Sequence, residues 1–196
     1  MAKLYFRYGA MNSGKSTSLM QVAYNYEERN QKVIVIKSVI DTKGNEYLVS
    51  RIGLKRKVDI LLNNEDEIFS KGEQFKKDNI ACILVDEAQF LNPDQVFDLY
   101  KISKIYDIPV ICYGLRSDFR TIGFPGSIRL LELADELEEL ITICRCGKRA
   151  KLNARKVNGE FVSEGEQVSI DEVGDVTYES LCGKCYLEKV NNKSVN

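Results

Sequence analysis

Gly9-Ala10-Met11-Asn12-Ser13-Gly14-Lys15-Ser16 is the stretch on which the fold turns. It satisfies the pattern G-x-x-x-x-G-K-[ST] in full. The run before it, Leu4-Tyr5-Phe6-Arg7-Tyr8, is apolar and aromatic, stops at Gly9 and reads as a strand. After it, Leu19, Val22, Ala23 and Tyr26 recur at helical spacing and predict a helix from about Lys15 to Arg29. Strand, glycine loop and helix together form the context a phosphate-binding loop needs. The glycines let backbone N–H groups curl around phosphate oxygens, and the helix adds its positive dipole end. In that reading Lys15 reaches the β- and γ-phosphates and the Ser16 hydroxyl ligates magnesium. The bland alternative is a glycine turn joining strand to helix.

Further along, Val33-Ile34-Val35-Ile36 is a β-branched run that predicts a strand buried on both faces. The polar stretch from Asp41 to Lys57, with Gly44 and Gly53, reads as a loop, and Glu65 to Lys77 as a surface helix. A second buried strand, Ile80 to Val85, ends in Asp86-Glu87. Asn92-Pro93-Asp94 starts a helix whose Val96, Leu99, Tyr100 and Ser103 share a face. Pro109 to Gly114 is a third buried strand. Gly126 to Leu140 reads as one helix, with Ile128, Leu131, Ala134 and Leu137 at helical spacing and acids on its other faces. Strands alternating with helices predict an α/β fold with a mostly parallel sheet, of the RecA-like P-loop kind. In such a fold the second magnesium-holding acid sits at the end of a neighbouring buried strand, where Asp86 belongs.

Composition narrows the chemistry. Among 196 residues there is no histidine and no tryptophan. Nucleophile–histidine pairs, H-E-x-x-H metalloprotease sites and nitrogen-ligated metals are therefore excluded. Any general base must be Asp, Glu, Lys, Tyr or a thiolate, and Glu87 beside the phosphate loop is the natural candidate. Lys plus Arg number 28 against 29 Asp plus Glu, a net charge of -1 that argues against bulk basic binding to nucleic acid. A hydrophobic fraction of 44% describes a folded chain. No apolar run approaches a membrane span and no secretory leader pattern is present, so the cytoplasm is the expected compartment.

Six cysteines in such a setting favour metal binding or buried thiols over disulfides. Cys144-Arg145-Cys146-Gly147 and Cys182-Gly183-Lys184-Cys185 are paired knuckles, and together they offer the four-sulfur tetrahedron that suits zinc. The C-x-C half is shorter than usual zinc spacing, and 35 residues, Gly147 to Leu181, part the pairs. A redox pair or unrelated surface thiols are the alternatives. Cys82 and Cys112 lie within apolar strands as core thiols. The change of character after Ile143 divides the chain into residues 1–142 (phosphate-binding α/β domain), 143–190 (zinc ribbon) and 191–196 (polar tail).

The order of these features, with Asp86-Glu87-Ala88-Gln89-Phe90 and Tyr113-Gly114-Leu115-Arg116-Ser117-Asp118-Phe119-Arg120 between loop and ribbon, resembles the type II, or cytosolic-type, thymidine kinase family. The resemblance runs from Gly9 to Tyr186. It implies transfer of the γ-phosphoryl of ATP to the 5′-hydroxyl of thymidine, and of deoxyuridine, as a step of nucleotide salvage. By the same resemblance, Gly9 to Ser16 and Asp86 to Gln89 bind ATP, Ser16 and Asp86 hold magnesium, and Glu87 is the catalytic carboxylate. Met11, Phe90, Leu115, Phe119, Val168, Ser169, Ile170 and Tyr178 line the nucleoside pocket, the last four from a lasso loop between the cysteine pairs. Structural zinc on Cys144, Cys146, Cys182 and Cys185, a homotetramer and feedback by thymidine triphosphate are implied as well. Two features depart from the pattern. The stretch from Asp171 to Asp175 replaces a glycine pair common in bacterial members, and the histidine some relatives use as fourth zinc ligand is absent. Arg120 is a further candidate to offset phosphoryl charge.

Two rival readings stand beside this one. Asp86-Glu87-Ala88-Gln89 is one letter from the DEAD-box signature of nucleic-acid-stimulated ATPases, although those place ATP between two α/β domains and this chain has room for one. A zinc-ribbon interaction module with a vestigial phosphate loop conflicts with an intact Lys15, Ser16, Asp86 and Glu87.

Overall fold

Alternate residues of the buried strands face opposite ways, and both faces are covered. The computed structural model describes residues 1–41, 44, 46–167 and 175–191. Among these, β1 (Leu4–Tyr8) leads through the phosphate loop into α1 (Lys15–Glu27) and β2 (Lys32–Ser38). A small hairpin of β3 (Tyr47–Val49) and β4 (Lys55–Lys57) precedes β5 (Ile60–Leu62), α2 (Gly72–Lys77) and β6 (Ile80–Asp86). Then come α3 (Pro93–Ile105), β7 (Val110–Gly114), α4 (Pro125–Leu133) and β8 (Glu136–Glu139). The main sheet has six strands in the order β5-β2-β6-β7-β1-β8, every pairing parallel. Ile83 and Val85 of β6 face α3, packing with Val96, Leu99 and Ile102. Cys82 and Leu84 face the other way, against Leu19 and Ala23 of α1. Parallel strands read as unbroken apolar runs because both faces are covered in this way. Each fully buried Leu, Ile or Val contributes about 1.5–3 kcal/mol.

The helix predicted from Asn92 is present, with Pro93 in its first turn and a reciprocal cap. The Asn92 side chain accepts from the Gln95 N–H at 2.8 Å, and the Gln95 side chain accepts from the Asn92 N–H at 3.2 Å. Cys82 and Cys112 are fully buried, and burial pushes both thiols up, Cys82 to about 12.

The structure corrects several expectations. The helix expected over 126–140 ends at Leu133, where Ala134 turns extended (ψ 134°), and the acidic run that follows is the edge strand β8. Pairing with β1 lets Lys3 reach Glu136 and Arg7 reach Glu138, both at 2.6 Å. A helical Leu137 would belong to the core; in β8 it is 50% exposed. The polar stretch 41–57 is not all loop. Leu48 and Val58 are buried and hold the β3/β4 hairpin to the core. The segment 65–77 is helical only from Phe69, a single tight turn followed by α2, because Ile68 and Phe75 are drawn inward. Asp86 ends a strand that does not adjoin β1, because β7 lies between them.

From Thr142 the chain forms a second layer of antiparallel structure. β9 (Thr142–Ile143) pairs with β10 (Arg149–Ala150). β11 (Leu152–Val157) is the centre of a three-stranded sheet with β12 (Glu160–Val162) and β13 (Val176–Leu181). The short α5 (Gly183–Tyr186) follows. Its core joins Ala154, Leu181, Tyr186 and Val190 to the buried cysteines. Among the described residues, no helix is long and apolar enough to cross a membrane.

Candidate active site

Ligands of open α/β sheets lie beyond the C-terminal ends of the strands, and the phosphate loop, Asp86, Glu87 and Leu115 meet there. Gly9 cannot carry a side chain, since a Cβ would stand 2.5 Å from both the Leu140 carbonyl and the Ser13 hydroxyl. Gly14 caps α1 in the left-handed region (φ 79°), which costs glycine little. The first turn of α1 has no acidic residue, and no side chain caps its N–H groups. Those donors and the helix dipole are thus left for an anion. The Lys15 ammonium, 8% exposed, donates to the carbonyls of Gly9 (3.3 Å) and Ala10 (3.0 Å). Burial lowers its pKa, while the charges of Glu87 and Asp86 oppose that fall.

Although β7 lies between β1 and β6, Ser16 Oγ at the start of α1 lies 3.2 Å from Asp86 Oδ2 and donates to it. The other Asp86 oxygen is buried without a hydrogen-bond partner. Burial, then the neighbouring Glu87 charge, raises the Asp86 carboxyl to about 7. A half-satisfied carboxylate beside a hydroxyl is a hard-oxygen set that fits magnesium, which keeps much of its own water and takes few protein ligands.

Glu87 follows in a left-handed conformation (φ 47°, ψ 42°), a strain of order 1–2 kcal/mol for a residue with a side chain. The surroundings over-determine it. Gln89, 1% exposed, donates from Nε2 to Glu87 Oε2 at 2.6 Å and accepts the Leu115 N–H at 3.0 Å on Oε1. Glu87 then faces a cavity of about 220 Å³ lined also by Met11, Lys15, Ser16, Arg51 and Leu115. Ala88 and Gln89 are buried behind it rather than lining it.

Not all the expected nucleoside residues share that cavity. Met11 and Leu115 line it, whereas Phe90 packs edge-on against Phe124, their centroids 5.9 Å apart. Phe119 is buried under the Arg155 guanidinium, 3.9 Å from its ring, and Tyr178 accepts from Arg155 Nε at 2.9 Å. Val168, Ser169 and Ile170 lie outside the described residues. Arg120 is committed to Asp118, with Nε at 3.0 Å and Nη2 at 2.9 Å from the same carboxylate oxygen.

The second layer grips the phosphate loop directly. Met11 N–H donates to Asn153 Oδ1 (2.8 Å), and Ser180 Oγ donates to the Met11 carbonyl (2.5 Å). Asn153 and Ser180 are cross-strand partners on β11 and β13. Tyr186 OH donates to the Phe119 carbonyl, also at 2.5 Å. Sequence reading missed this clamp because an Asn and a Ser inside short polar strands look like ordinary solvent-facing positions. It missed Lys37 and Asp41 too. Lys37 is 1% exposed at the end of β2, 3.0 Å from Asp41, whose charge is felt at Asp86. The signal was there: a lysine closing an apolar strand run is a charge the fold must bury with a partner.

The sulfurs of Cys144, Cys146, Cys182 and Cys185 all lie within 4.8 Å of one another. Zn–S bonds of about 2.3 Å set tetrahedral edges of roughly 3.8 Å, so the cluster is of the right size. Burial would raise the Cys144 thiol, but the N–H groups of Cys146 and Cys182 bring it down to about 7, suiting a thiolate ligand. Each knuckle closes by backbone bonds: Gly147 N–H to the Cys144 carbonyl (2.9 Å), and Tyr186 N–H to the Cys182 carbonyl (2.9 Å). This donor set fits zinc.

Comparison with known proteins gives the family. The sequence model of a family described as thymidine kinase matches residues 2–186. A protein named thymidine kinase from Chromobacterium violaceum is 45% identical over 191 residues, covering 95% of this chain and 98% of that one. Another, from Enterobacteria phage T4, is 47% identical, covering 96% and 97%. Among solved structures, Bacteroides Pif1 bound to single-stranded DNA superposes with a TM-score of only 0.38 at 15% identity, over 70% of this chain and 38% of that one. The phosphate loop, its acid pair and the four-cysteine cluster thus sit within the matched residues 2–186, and the protein belongs to the thymidine kinase family.

Proposed function

We propose that this site transfers the γ-phosphoryl group of ATP to the 5′-hydroxyl of thymidine, with deoxyuridine as a second acceptor. The observation that carries the reading is the meeting of Glu87, Lys15 and Ser16 around one cavity, with the half-satisfied Asp86 bonded to Ser16. The phosphate loop holds the triphosphate through its N–H groups, and Lys15 leaves the loop carbonyls for the β- and γ-phosphates. Ser16 and Asp86 would hold magnesium, which neutralises phosphate charge when bound. Glu87 accepts the 5′-hydroxyl proton as the O5′–Pγ bond forms and the bond from Pγ to the β-phosphate oxygen breaks, releasing ADP. Gln89 keeps the Glu87 carboxylate aimed at the cavity. With Met11 and Leu115, Phe90, Phe119 and Tyr178 are assigned to the nucleoside side, as are Val168, Ser169 and Ile170 by the resemblance, and exclusion of water there keeps ATP from being hydrolysed.

The four cysteines carry a structural zinc in this reading, and the chain divides near Thr142 into a nucleotide domain and a ribbon that closes over the nucleoside. A cytoplasmic homotetramer is the expected form. The test is ATP consumption with thymidine, with single-stranded DNA and with neither. Consumption only with thymidine, yielding thymidine 5′-monophosphate, is expected. Turnover stimulated by DNA without a phosphorylated nucleoside would replace this reading with that of a nucleic-acid-stimulated ATPase.

A further inference from the structure

We propose that Arg51, at the tip of the β3/β4 hairpin, is a catalytic residue whose guanidinium engages the β- and γ-phosphate oxygens during transfer. The proposal rests on the kinase reading above and adds a residue from a segment that the sequence marked only as loop.

The roots of the hairpin are fixed without any help from Arg51. Leu48 and Val58 are 1% and 6% exposed within the core. The Arg56 guanidinium grips Glu27 of α1 as a fork, at 2.8 and 2.7 Å to its two oxygens. Ser50 closes the turn, its N–H donating to the Leu54 carbonyl (2.9 Å) and its hydroxyl accepting the Leu54 N–H (3.0 Å). Gly53 makes the reversal at φ 90°. The tip is thereby set over the phosphate loop, and Arg51 lines the same cavity as Lys15, Ser16 and Glu87.

Arg51 itself is exposed and has no hydrogen-bond or ion-pair partner among the described residues. Its charge is nevertheless felt at Lys15, where it helps to lower the ammonium pKa. Two cations converge on one space, and a triphosphate is the ligand chemistry that satisfies both. A guanidinium offers a planar pair of N–H donors that matches two phosphate oxygens. As the Pγ–O bond breaks, charge grows on the γ-oxygens and on the bridging oxygen, where such a fork stabilises it. Arg120, which the sequence offered for this task, is held on Asp118 instead.

The experiment compares wild type with Arg51→Ala and Arg51→Lys, using Lys57→Ala on the same hairpin as a control. Steady-state ADP release with thymidine, thymidine affinity by calorimetric titration, affinity for ADP with aluminium fluoride, and thermal melting are measured on each. Arg51→Ala should lower kcat on the order of 100- to 1,000-fold and weaken the aluminium fluoride complex in parallel. Thymidine affinity should stay within about twofold, and melting should not move, because the side chain leaves no partner unpaired. Arg51→Lys should fall between the two, and Lys57→Ala should match wild type. A kcat for Arg51→Ala within about threefold of wild type overturns the proposal, as does an equal loss of thymidine affinity or of stability. Absence of thymidine-dependent ADP release by the wild type would overturn the kinase reading and this proposal together, whereas an active wild type with an equally active variant overturns this proposal alone.

Discussion

Replacing Asn153 with Ala should weaken the phosphate loop from a strand far away in sequence. Asn153 Oδ1 receives the Met11 N–H at 2.8 Å, and the residue is 5% exposed. Without it, the part-buried N–H of Met11 loses its partner, at a cost of about 1–3 kcal/mol. For a chain of this length each kcal/mol shifts the melting temperature by about 2–4 °C, so a fall of about 2–12 °C is expected. Met11 is the third residue of an eight-residue loop whose N–H groups must point together at phosphate. Relaxation of its peptide should therefore also weaken ATP binding, tenfold for each ~1.4 kcal/mol of lost order. Ser180→Ala removes the donor to the carbonyl of the same residue, a neutral bond worth about 1 kcal/mol, and Ser180→Thr keeps the hydroxyl. Because both side chains act on Met11, the double variant should depart from additivity by at least about 0.5 kcal/mol. Differential scanning calorimetry and ATP titration calorimetry read both effects. An Asn153→Ala protein with unchanged melting and unchanged ATP affinity would refute the clamp.

Two further outcomes follow from the cysteine cluster and the acid pair. The chain has no histidine that could replace a lost ligand, so Cys182→Ser or a strong chelator should abolish zinc binding, measured by atomic absorption. Cys182 follows directly on β13, which carries Ser180, so the same change should lower melting and raise hydrogen exchange across β11 and β13; unchanged exchange would argue against a structural metal. Asp86 is held near 7 by burial and the Glu87 charge, above its unfolded value of 3.8. The folded state therefore binds more protons between those values, and the ligand-free protein should lose stability as pH rises from about 4 to about 7. Magnesium requires the ionised carboxylate, so binding of magnesium and ATP near pH 7 should release protons, seen as buffer-dependent heat in calorimetry. Binding heats that do not vary with the buffer would remove Asp86 from that role.

Much of the main sheet was legible because its central strands are buried on both faces and end at candidate site residues. Gly9, Gly14 and Lys15 are determined by close approach, positive φ and charge, which are local requirements that a short motif can state. What escaped reading depends on distant partners. The run Ala134 to Glu139 keeps helical spacing by coincidence, and only its tertiary pairing with β1, flanked by ion pairs from Lys3 to Glu136 and Arg7 to Glu138, makes it an edge strand. Strand order was hidden as well, since nothing local places β7 between β1 and β6. The hairpin with Arg51 read as polar loop because its two anchors, Leu48 and Val58, stand ten positions apart in a charged stretch. In the site, Glu87 could be named from its neighbours, but its strut Gln89 and the clamp from Asn153 and Ser180 are tertiary facts.

The central claim is that Glu87 takes the proton as the phosphoryl group leaves ATP for thymidine. Its most direct measurement is thymidine-dependent ADP release by Glu87→Gln, with ATP affinity measured on the same protein. The glutamine preserves volume and a partner for Gln89 but cannot accept the proton, so turnover should fall about 100-fold or more while ATP binding is kept. Near-normal turnover with thymidine would contradict the account.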